Sequence, residues 1–443
     1  MAKYFAALVF FCSLQLFGSD WPQWRGPDRS AVWTESGIVE KLPATGAKVV
    51  WRARVGLGYS SPVIAGARVY LSDAELKKPN LRERIHCLNA DSGKELWTYS
   101  YQTSAPDWFF TEEQGRGPGA TPIVRDGKIY ALDLFGYIVC LGANRGNLIW
   151  KKNLKEEFQA RETSLDASPL IEGDLLILML GGKRGAGVVA LDRNTGREVW
   201  RALDESVTWS SPIAINSAGV RQLIVWTQQS VSSLNPATGK LYWREETSTG
   251  GSPGTAGVST PVFQRNYLLV SGWMLQLETD RPAARTLWPE SKGVARRILS
   301  DTSTGVVLGD YVYSGKSGGE FVCLKAASGE EIWKTSALTE SASGASIHIT
   351  VHGDIGFLFN DRGQLIQARL TPAGCQEISR TKIIEPTFPF GSRKLAWAAP
   401  AFAHKNIYVR NDQELICASL AATSYQTHES RINNRKKVGS AKN

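Results

Sequence analysis

Aromatic and charged residues that could bind a ligand are concentrated in segments between short apolar runs of the sequence. The longest such segment, residues 103–119, contains Asp107, Trp108, Phe109, Phe110, Glu113 and Arg116. Comparable segments supply Glu162, Trp209, Arg296, Arg297 and Trp397. Aromatic rings stack on flat ligands and arginine pairs with carboxylates, so this set suits a carboxylate-bearing ligand such as an acidic sugar. In the alternative interpretation, Trp108 and Phe109 cover a junction between structural units and the arginines are solvated.

The sequence lacks the compact motifs of common enzyme classes. It contains no nucleophile elbow, phosphate-binding glycine loop or paired-histidine zinc motif. His348 and His352 are four residues apart, but they fall in a predicted strand, where this spacing gives no helical face for a metal. After residue 19 the cysteines are odd in number and form no close pair, which predicts small buried side chains rather than disulfides.

Composition and the two ends of the chain predict an exported globular protein. Of 443 residues, 42% are hydrophobic and 21% are charged, and no stretch after residue 20 approaches the roughly 20 apolar residues of a spanning helix. Residues 1–19 are predicted to be a signal peptide, with Lys3 before an apolar run and small residues at its end. Residues 423–443 are predicted to be a basic, disordered tail. The net charge is +9, of which the tail supplies a large part, so nucleic-acid binding is not expected.

A repeat organises the rest of the chain, with 43 to 53 residues between successive tryptophans at the ends of its last strands, and such periods indicate repeat architectures. Each copy begins with a small residue, a proline and an aliphatic residue, with weaker copies toward the end of the chain. The eight copies begin at Ser61, Thr121, Ser168, Ser211, Thr260, Thr304, Ser346 and Ala399. Further predicted strands follow each start, and in five copies the last strand ends in tryptophan after a glycine-bearing hairpin, at Trp97, Trp150, Trp200, Trp243 and Trp333.

The repeat predicts an all-β fold, an eight-bladed β-propeller of four-stranded antiparallel blades. The predicted structural tryptophans, which fill the wedge between blades, are Trp51, Trp97, Trp150, Trp200, Trp243, Trp288 and Trp333. The eighth copy has only three strands, whereas a lone strand ending in Trp51 precedes the first copy. We therefore expect the N-terminal strand to complete blade eight and close the ring, with a propeller at residues 47–422 after an N-terminal arm at residues 20–46.

Two segments carry a family resemblance. Residues 190–200, Ala-Leu-Asp-Arg-Asn-Thr-Gly-Arg-Glu-Val-Trp, resemble the tryptophan-docking motif of quinoprotein-type (PQQ-like) propellers, and similar copies end at Trp97, Trp243 and Trp333. Residues 20–27, Asp-Trp-Pro-Gln-Trp-Arg-Gly-Pro, resemble the start of exported bacterial PQQ-like propeller proteins. The resemblance covers about residues 20 to 420.

The resemblance implies two functional classes. Some members are periplasmic alcohol or sugar dehydrogenases that use pyrroloquinoline quinone (PQQ) with calcium, whereas BamB-type members are scaffolds without a cofactor. This chain lacks the adjacent cysteine pair and the Cys-x-x-Cys-His haem segment of many such dehydrogenases. It also lacks a convincing lipid-attachment cysteine, because Phe11 precedes Cys12.

We therefore expect a periplasmic or secreted monomer that binds or scaffolds a protein of the cell envelope without a cofactor. In the alternative of a PQQ- and calcium-dependent dehydrogenase, the resemblance implies calcium ligands at Glu113 and Glu162. Arg116 and Arg297 would then contact the quinone and Trp209 would stack on it. A second alternative is binding of an extracellular polysaccharide through the aromatic loops.

Overall fold

The computed structural model describes residues 19–103, 105, 107–110, 116–160, 165–247, 257–290, 298–300 and 302–425. Residues 1–18 of the predicted signal peptide and the tail from residue 426 lie outside the described residues. Across the described ranges, helices are few and short, and none has the length and apolar character needed to cross a membrane.

Eight four-stranded antiparallel sheets form the blades; seven have their strands in sequence order, and the eighth combines the first strand of the chain with the last three. The first four blades comprise β2 (Val63–Ala65), β3 (Arg68–Lys77), β4 (Asn80–Asn89), β5 (Glu95–Thr103), β6 (Ile123–Arg125), β7 (Lys128–Leu132), β8 (Tyr137–Gly142), β9 (Leu148–Asn153), β10 (Leu170–Glu172), β11 (Leu175–Met179), β12 (Val188–Asp192), β13 (Glu198–Ala202), β14 (Ile213–Ser217), β15 (Val220–Trp226), β16 (Ser230–Leu234) and β17 (Leu241–Glu246).

Blades five to seven repeat this arrangement, and blade eight has three strands of its own. These are β18 (Val262–Gln264), β19 (Tyr267–Val270), β20 (Trp273–Leu277), β21 (Ala284–Trp288), β22 (Val306–Leu308), β23 (Tyr311–Gly315), β24 (Phe321–Lys325), β25 (Glu331–Thr335), β26 (Ile347–His352), β27 (Ile355–Asn360), β28 (Gln364–Thr371), β29 (Gly374–Lys382), β32 (Ala401–Ala403), β33 (Asn406–Arg410) and β34 (Glu414–Ser419). Outside the blades lie helix α1 (Leu154–Phe158), the 3-10 helix Asp107–Phe110 and the hairpin of β30 (Phe388–Phe390) and β31 (Arg393–Leu395).

The N-terminal strand β1 (Lys48–Arg54) closes the ring. It pairs antiparallel with β34, from Lys48 opposite Ser419 to Arg54 opposite Glu414, and so becomes the outermost strand of blade eight. Closure in this way leaves no blade short of a strand, which limits exposed sheet edges. The predicted fold class, an eight-bladed propeller closed by its N-terminal strand, is therefore confirmed.

Hydroxyl groups at the start of the repeats connect neighbouring blades around the central channel. Ser61 N donates to Thr121 Oγ1 at 3.0 Å, Thr121 N donates to Ser168 Oγ at 3.0 Å, and Ser168 N donates to Ser211 Oγ at 2.9 Å. Thr260 N donates to Thr304 Oγ1 in the same way, at 3.0 Å. A hydroxylated side chain at this repeat position therefore satisfies a buried amide of the preceding blade.

The tryptophans at the ends of the outer strands lie against the following blade. Six of the seven donate Nε1–H to a backbone carbonyl there, as in Trp51 to Ala90 at 2.7 Å and Trp333 to Thr371 at 2.9 Å. Trp243 differs, because it donates to Gln222 Oε1 of its own blade at 3.0 Å. Several indoles stand directly over a hairpin glycine, and a Cβ on Gly239 would lie 2.6 Å from the Trp200 ring.

The N-terminal arm crosses the central channel and closes one end of it. Trp21 forms a β-bridge with Ile64 of blade one, and Val32 forms a bridge with Val351 of blade seven. Between them Arg29, which is buried, donates through Nη1 to Pro212 O at 2.8 Å and through Nη2 to the carbonyl of Pro169. Because these contacts reach inner strands on several sides of the ring, the arm covers this end of the channel.

Candidate ligand-binding cavity

A cavity of about 180 Å³ lies among the described residues at the end of the central channel opposite the arm. It is bounded by the segments that enter the inner strands and, on the arm side, by Trp24. Its lining comprises Trp24, Tyr59, Arg116, Gly119, Asp166, Ser168, Trp209, Ser211, Val258, Thr302, His348, Trp397 and Ala399. Function is often located in loops on a rigid scaffold, and here eight blades position these segments around one axis.

Trp397 forms a fixed aromatic wall of the cavity. Its ring stacks on Phe388 of the β30–β31 hairpin, with centroids 5.2 Å apart, and lies 5.7 Å from the ring of Tyr59. The indole Nε1 donates to Gly344 O at 2.9 Å. Trp24 is fixed similarly, since its Nε1 donates to Thr260 Oγ1 at 2.8 Å. Both indole N–H groups are thus satisfied by the protein, which leaves ring faces and edges for ligand contact.

The charged groups of the cavity contact one another. The guanidinium of Arg116 lies 5.0 Å from the centroid of the Trp209 ring, and its Nη2 lies 3.4 Å from Asp166 Oδ2. The other carboxylate oxygen of Asp166 accepts from Gly119 N at 3.2 Å. A Cβ on Gly119 would lie 2.5 Å from that carboxylate, so only glycine permits this close approach.

Two further polar groups of the cavity are held uncharged. His348 Nε2 donates to Trp397 O at 2.8 Å, and burial lowers the pKa of His348 from 6.5 to about 4. The hydroxyl of Tyr59 is buried and has no hydrogen-bond partner in the described part of the chain. Burial raises the pKa of Tyr59, so the phenol keeps its proton. A neutral donor therefore faces the cavity without an acceptor.

Of the residues predicted from the sequence, Arg116, Trp209 and Trp397 come together in this cavity. Phe109 does not, because it is buried beside Leu81 and its ring lies 5.1 Å from that of Phe135. Trp108 belongs to the 3-10 helix, and its side chain lies outside the description. The remaining candidates, Glu113, Glu162, Arg296 and Arg297, fall outside the described residues.

Sequence reasoning missed Trp24, Tyr59, Asp166 and His348. The sequence nevertheless contained a signal for more than half of the lining, because these lining residues all occupy the second position before the start of a repeat. This position holds Tyr59, Gly119, Asp166, Trp209, Val258, Thr302 and Trp397. In seven of the eight blades this residue therefore meets its counterparts where the chain enters the inner strands; in blade seven the position is Gly344, which is not in the lining.

The described lining does not fit a calcium-bound quinone. Calcium takes six to eight oxygen ligands, usually with several carboxylates. The described lining contains one carboxylate, Asp166, and this group is bound to Arg116 and Gly119. Among the residues that the structure describes, no group of three or more His, Cys, Asp or Glu side chains is arranged to hold a metal.

Comparison with known proteins places the chain among BamB and quinoprotein propellers. BamB of Burkholderia pseudomallei (strain K96243) is 24% identical over 289 residues, which cover 62% of this chain and 67% of that protein. The quinoprotein alcohol dehydrogenase PedH of Pseudomonas putida is 25% identical over 179 residues, 38% of this chain and 28% of that enzyme. The match therefore spans less than a third of the dehydrogenase.

Solved structures show the same fold. Quinohemoprotein alcohol dehydrogenase of Comamonas testosteroni has a TM-score of 0.65 at 12% identity, over 91% of this chain and 80% of that chain. BamB of Moraxella catarrhalis has a TM-score of 0.56 at 16% identity, over 84% of this chain and 97% of that chain. The family model described as outer membrane protein assembly factor BamB matches residues 81–335 and 277–371. These matches confirm the resemblance, and the chain belongs to the PQQ-like propeller family that bears this description.

Proposed function

We propose that this protein is a non-catalytic binding module of the cell envelope that acts as a scaffold for a protein partner. The observation that carries the proposal is the state of the ionisable groups in the central cavity. Asp166 is engaged by Arg116 and Gly119, and His348 is held neutral by burial with Nε2–H bonded to Trp397 O. A general base works best with a free lone pair and a pKa near the working pH, whereas Asp166 is engaged by a cation and His348, with a pKa of about 4, is a weak base.

Relatives named outer membrane protein assembly factor supply the class of partner. By this analogy, the partner is a protein involved in outer-membrane assembly, and the chain acts in the periplasm. The rigid ring suits such a role, because four-stranded blades hold surface loops in fixed positions.

Site-specific photo-crosslinking in cells tests the scaffold role. Exposed apolar residues on successive outer strands, Leu96, Leu148, Val199 and Leu241, allow one photoreactive residue for each of four neighbouring blades. Val32 on the arm, 42% exposed, is the control position on the closed face. We expect one envelope protein with a role in outer-membrane assembly to be captured from neighbouring blades. Equal, diffuse labelling from every position, Val32 included, would contradict the proposal.

A further inference from the structure

A second, smaller chamber lies between the central cavity and the N-terminal arm. Its volume is about 20 Å³, which is enough for one water-sized group. It shares Trp24, His348 and Ala399 with the central cavity, so these three residues border both spaces. The arm supplies the far wall through Arg25, and the first repeat supplies Ser61.

Arg25 brings a buried positive charge to this chamber. Its side chain is 8% exposed, with Nε donating to Arg29 O at 3.1 Å and Nη2 to Ser30 O at 3.5 Å. These acceptors are carbonyls, and no carboxylate among the described residues forms an ion pair with it. Burial lowers the pKa of Arg25 from 12.5 to about 10, opposed by Asp28, so the guanidinium remains charged near neutral pH. A buried charge without a counter-ion is costly, and an anion beside it would offset that cost.

Ser61 adds an independent sign of an absent partner. The residue is 2% exposed, and its Oγ has no hydrogen-bond partner within the described residues. Its equivalents Thr121 and Ser168 each accept from the amide of the preceding repeat. A buried hydroxyl is normally satisfied, so this O–H is available to donate to an acceptor in the chamber.

The central cavity outside the chamber suits a hydroxylated ring. Trp209, contacted by Arg116, and Trp397, stacked on Phe388, both line the cavity, and the C–H face of a sugar packs well against aromatic rings. The same cavity is also lined by hydroxyl-bearing residues, namely Tyr59, whose hydroxyl is buried, Ser211 and Thr302. Ser211 Oγ already accepts from Ser168 N and Thr302 Oγ1 donates to Ala345 O, so the Tyr59 hydroxyl is the group that a purely aromatic acid would leave without a partner and that a ring hydroxyl would satisfy. Arg25 lines the chamber and not the central cavity, so an acidic group that pairs with it must lie at the end of the ligand nearest the chamber.

We propose that the central cavity binds a terminal hexuronate residue, with its pyranose ring between the aromatic walls and its carboxylate directed toward Arg25 and Ser61. The proposal deepens the binding role proposed above and rests on it, since it assumes a cavity that binds without reacting. Guanidinium–carboxylate and hydroxyl–carboxylate hydrogen bonds are charge-assisted and provide selectivity over the neutral sugar.

Calorimetric titration of the full mature chain tests the proposal. The probes are D-galacturonate and D-glucuronate, compared with D-galactose and D-glucose at equal ionic strength. We expect one uronate to bind about tenfold or more tightly than its neutral counterpart, as a charge-assisted contact implies. Equal binding of acid and neutral sugar would overturn the proposal. So would binding of benzoate as strong as that of the uronate, because it would show that ring hydroxyls contribute nothing.

Two serine variants give a matched pair for this test. Ser61→Ala removes the hydroxyl that faces the chamber, whereas Ser346→Ala removes a hydroxyl from an equivalent repeat position that is also buried and unpartnered but does not line either space. Uronate affinity should fall several-fold in Ser61→Ala and stay unchanged in Ser346→Ala, with neutral sugars unaffected in both. Equal behaviour of the two variants would refute the assignment of Ser61.

Arg25→Gln tests the charge, with Arg25→Lys as the variant that retains it. The preference for acid over neutral sugar should disappear in Arg25→Gln and persist in part in Arg25→Lys. If Arg25→Gln fails to fold, the serine pair still decides the outcome. Sodium formate and sodium chloride distinguish a site for small anions from a site for a sugar acid. If these salts stabilise the folded protein in an Arg25-dependent way and uronates do not bind, the sugar assignment is overturned. If the photo-crosslinks to a protein partner are retained in that case, the scaffold role is still supported.

Discussion

Two glycines of blade four allow the contact between neighbouring blades to be measured in isolation. Gly239, in the hairpin between β16 and β17, has φ +72°, and a Cβ there would lie 2.6 Å from the Trp200 ring of the preceding blade. Gly219, between β14 and β15, has φ +71°, and a Cβ there would meet nothing within 4 Å. The two sites therefore share the backbone requirement and differ in the tryptophan contact.

The alanine variants should differ by the cost of moving the indole. Left-handed backbone costs a non-glycine residue about 1–2 kcal/mol, which is the whole effect expected for Gly219→Ala. Gly239→Ala adds a steric overlap with a buried ring that is also held by a hydrogen bond from Nε1 to Pro236 O at 3.0 Å. Overpacking of this kind costs about 1–3 kcal/mol, so Gly239→Ala should destabilise by about 2–5 kcal/mol in total.

Urea unfolding of the single and double variants provides the assay. Trp200→Ala alone should cost about 3–5 kcal/mol, because it empties the space between two blades. In the Trp200→Ala background, Gly239→Ala should cost no more than Gly219→Ala, since the ring that it meets is absent. Equal costs for Gly219→Ala and Gly239→Ala in the wild-type background would refute the reasoning that glycine is required for the close approach of the indole.

Two further predictions concern ring closure and the buried histidine. Deletion of residues 47–53 removes most of β1 and should give an aggregating or unstable protein, whereas deletion of residues 426–443 should not. Light scattering and thermal melting compare the two deletion variants. A stable protein without residues 47–53 would show that β34 needs no partner strand. His348 has a folded pKa of about 4 against 6.5 when unfolded. The unfolded chain therefore binds a proton first as the pH falls, and stability should drop between about pH 6.5 and pH 4 by about 3 kcal/mol. In His348→Gln this loss of stability at low pH should be absent. The same pH dependence of stability in the wild-type protein and in His348→Gln would contradict the conclusion that His348 is neutral in the folded state.

The sequence was sufficient to predict the ring because most repeats carry their own strand, turn and tryptophan signals. Eight copies reinforce one another, and the strand of Trp51 is complementary to a blade that lacks one strand. Exceptions inside the pattern follow from local chemistry. Trp243 turns to Gln222, and the hairpin of the following blade, residues 278–283, contains no glycine over which an indole could lie.

The cavity was predicted only in part, since its geometry depends on contacts between distant residues. The aromatic residues Trp209 and Trp397 could be selected by type, but their convergence required the shared position before each repeat to be recognised. The course of the arm was not predictable from local patterns, because Arg29 is bonded to carbonyls of blades three and four, more than a hundred residues away in sequence. Phe109 illustrates the opposite case, in which an aromatic loop residue is buried for packing.

The measurement that tests the central claim most directly is titration of the mature protein with pyrroloquinoline quinone, with and without calcium, followed by thermal melting. A ligand at 100 times its dissociation constant stabilises the folded state by about 2.7 kcal/mol, which a melt detects. A non-catalytic binding module should show no calcium-dependent rise in melting temperature and no dye reduction with alcohols or sugars. A calcium-dependent rise accompanied by dye reduction would contradict the account and identify the protein as a dehydrogenase.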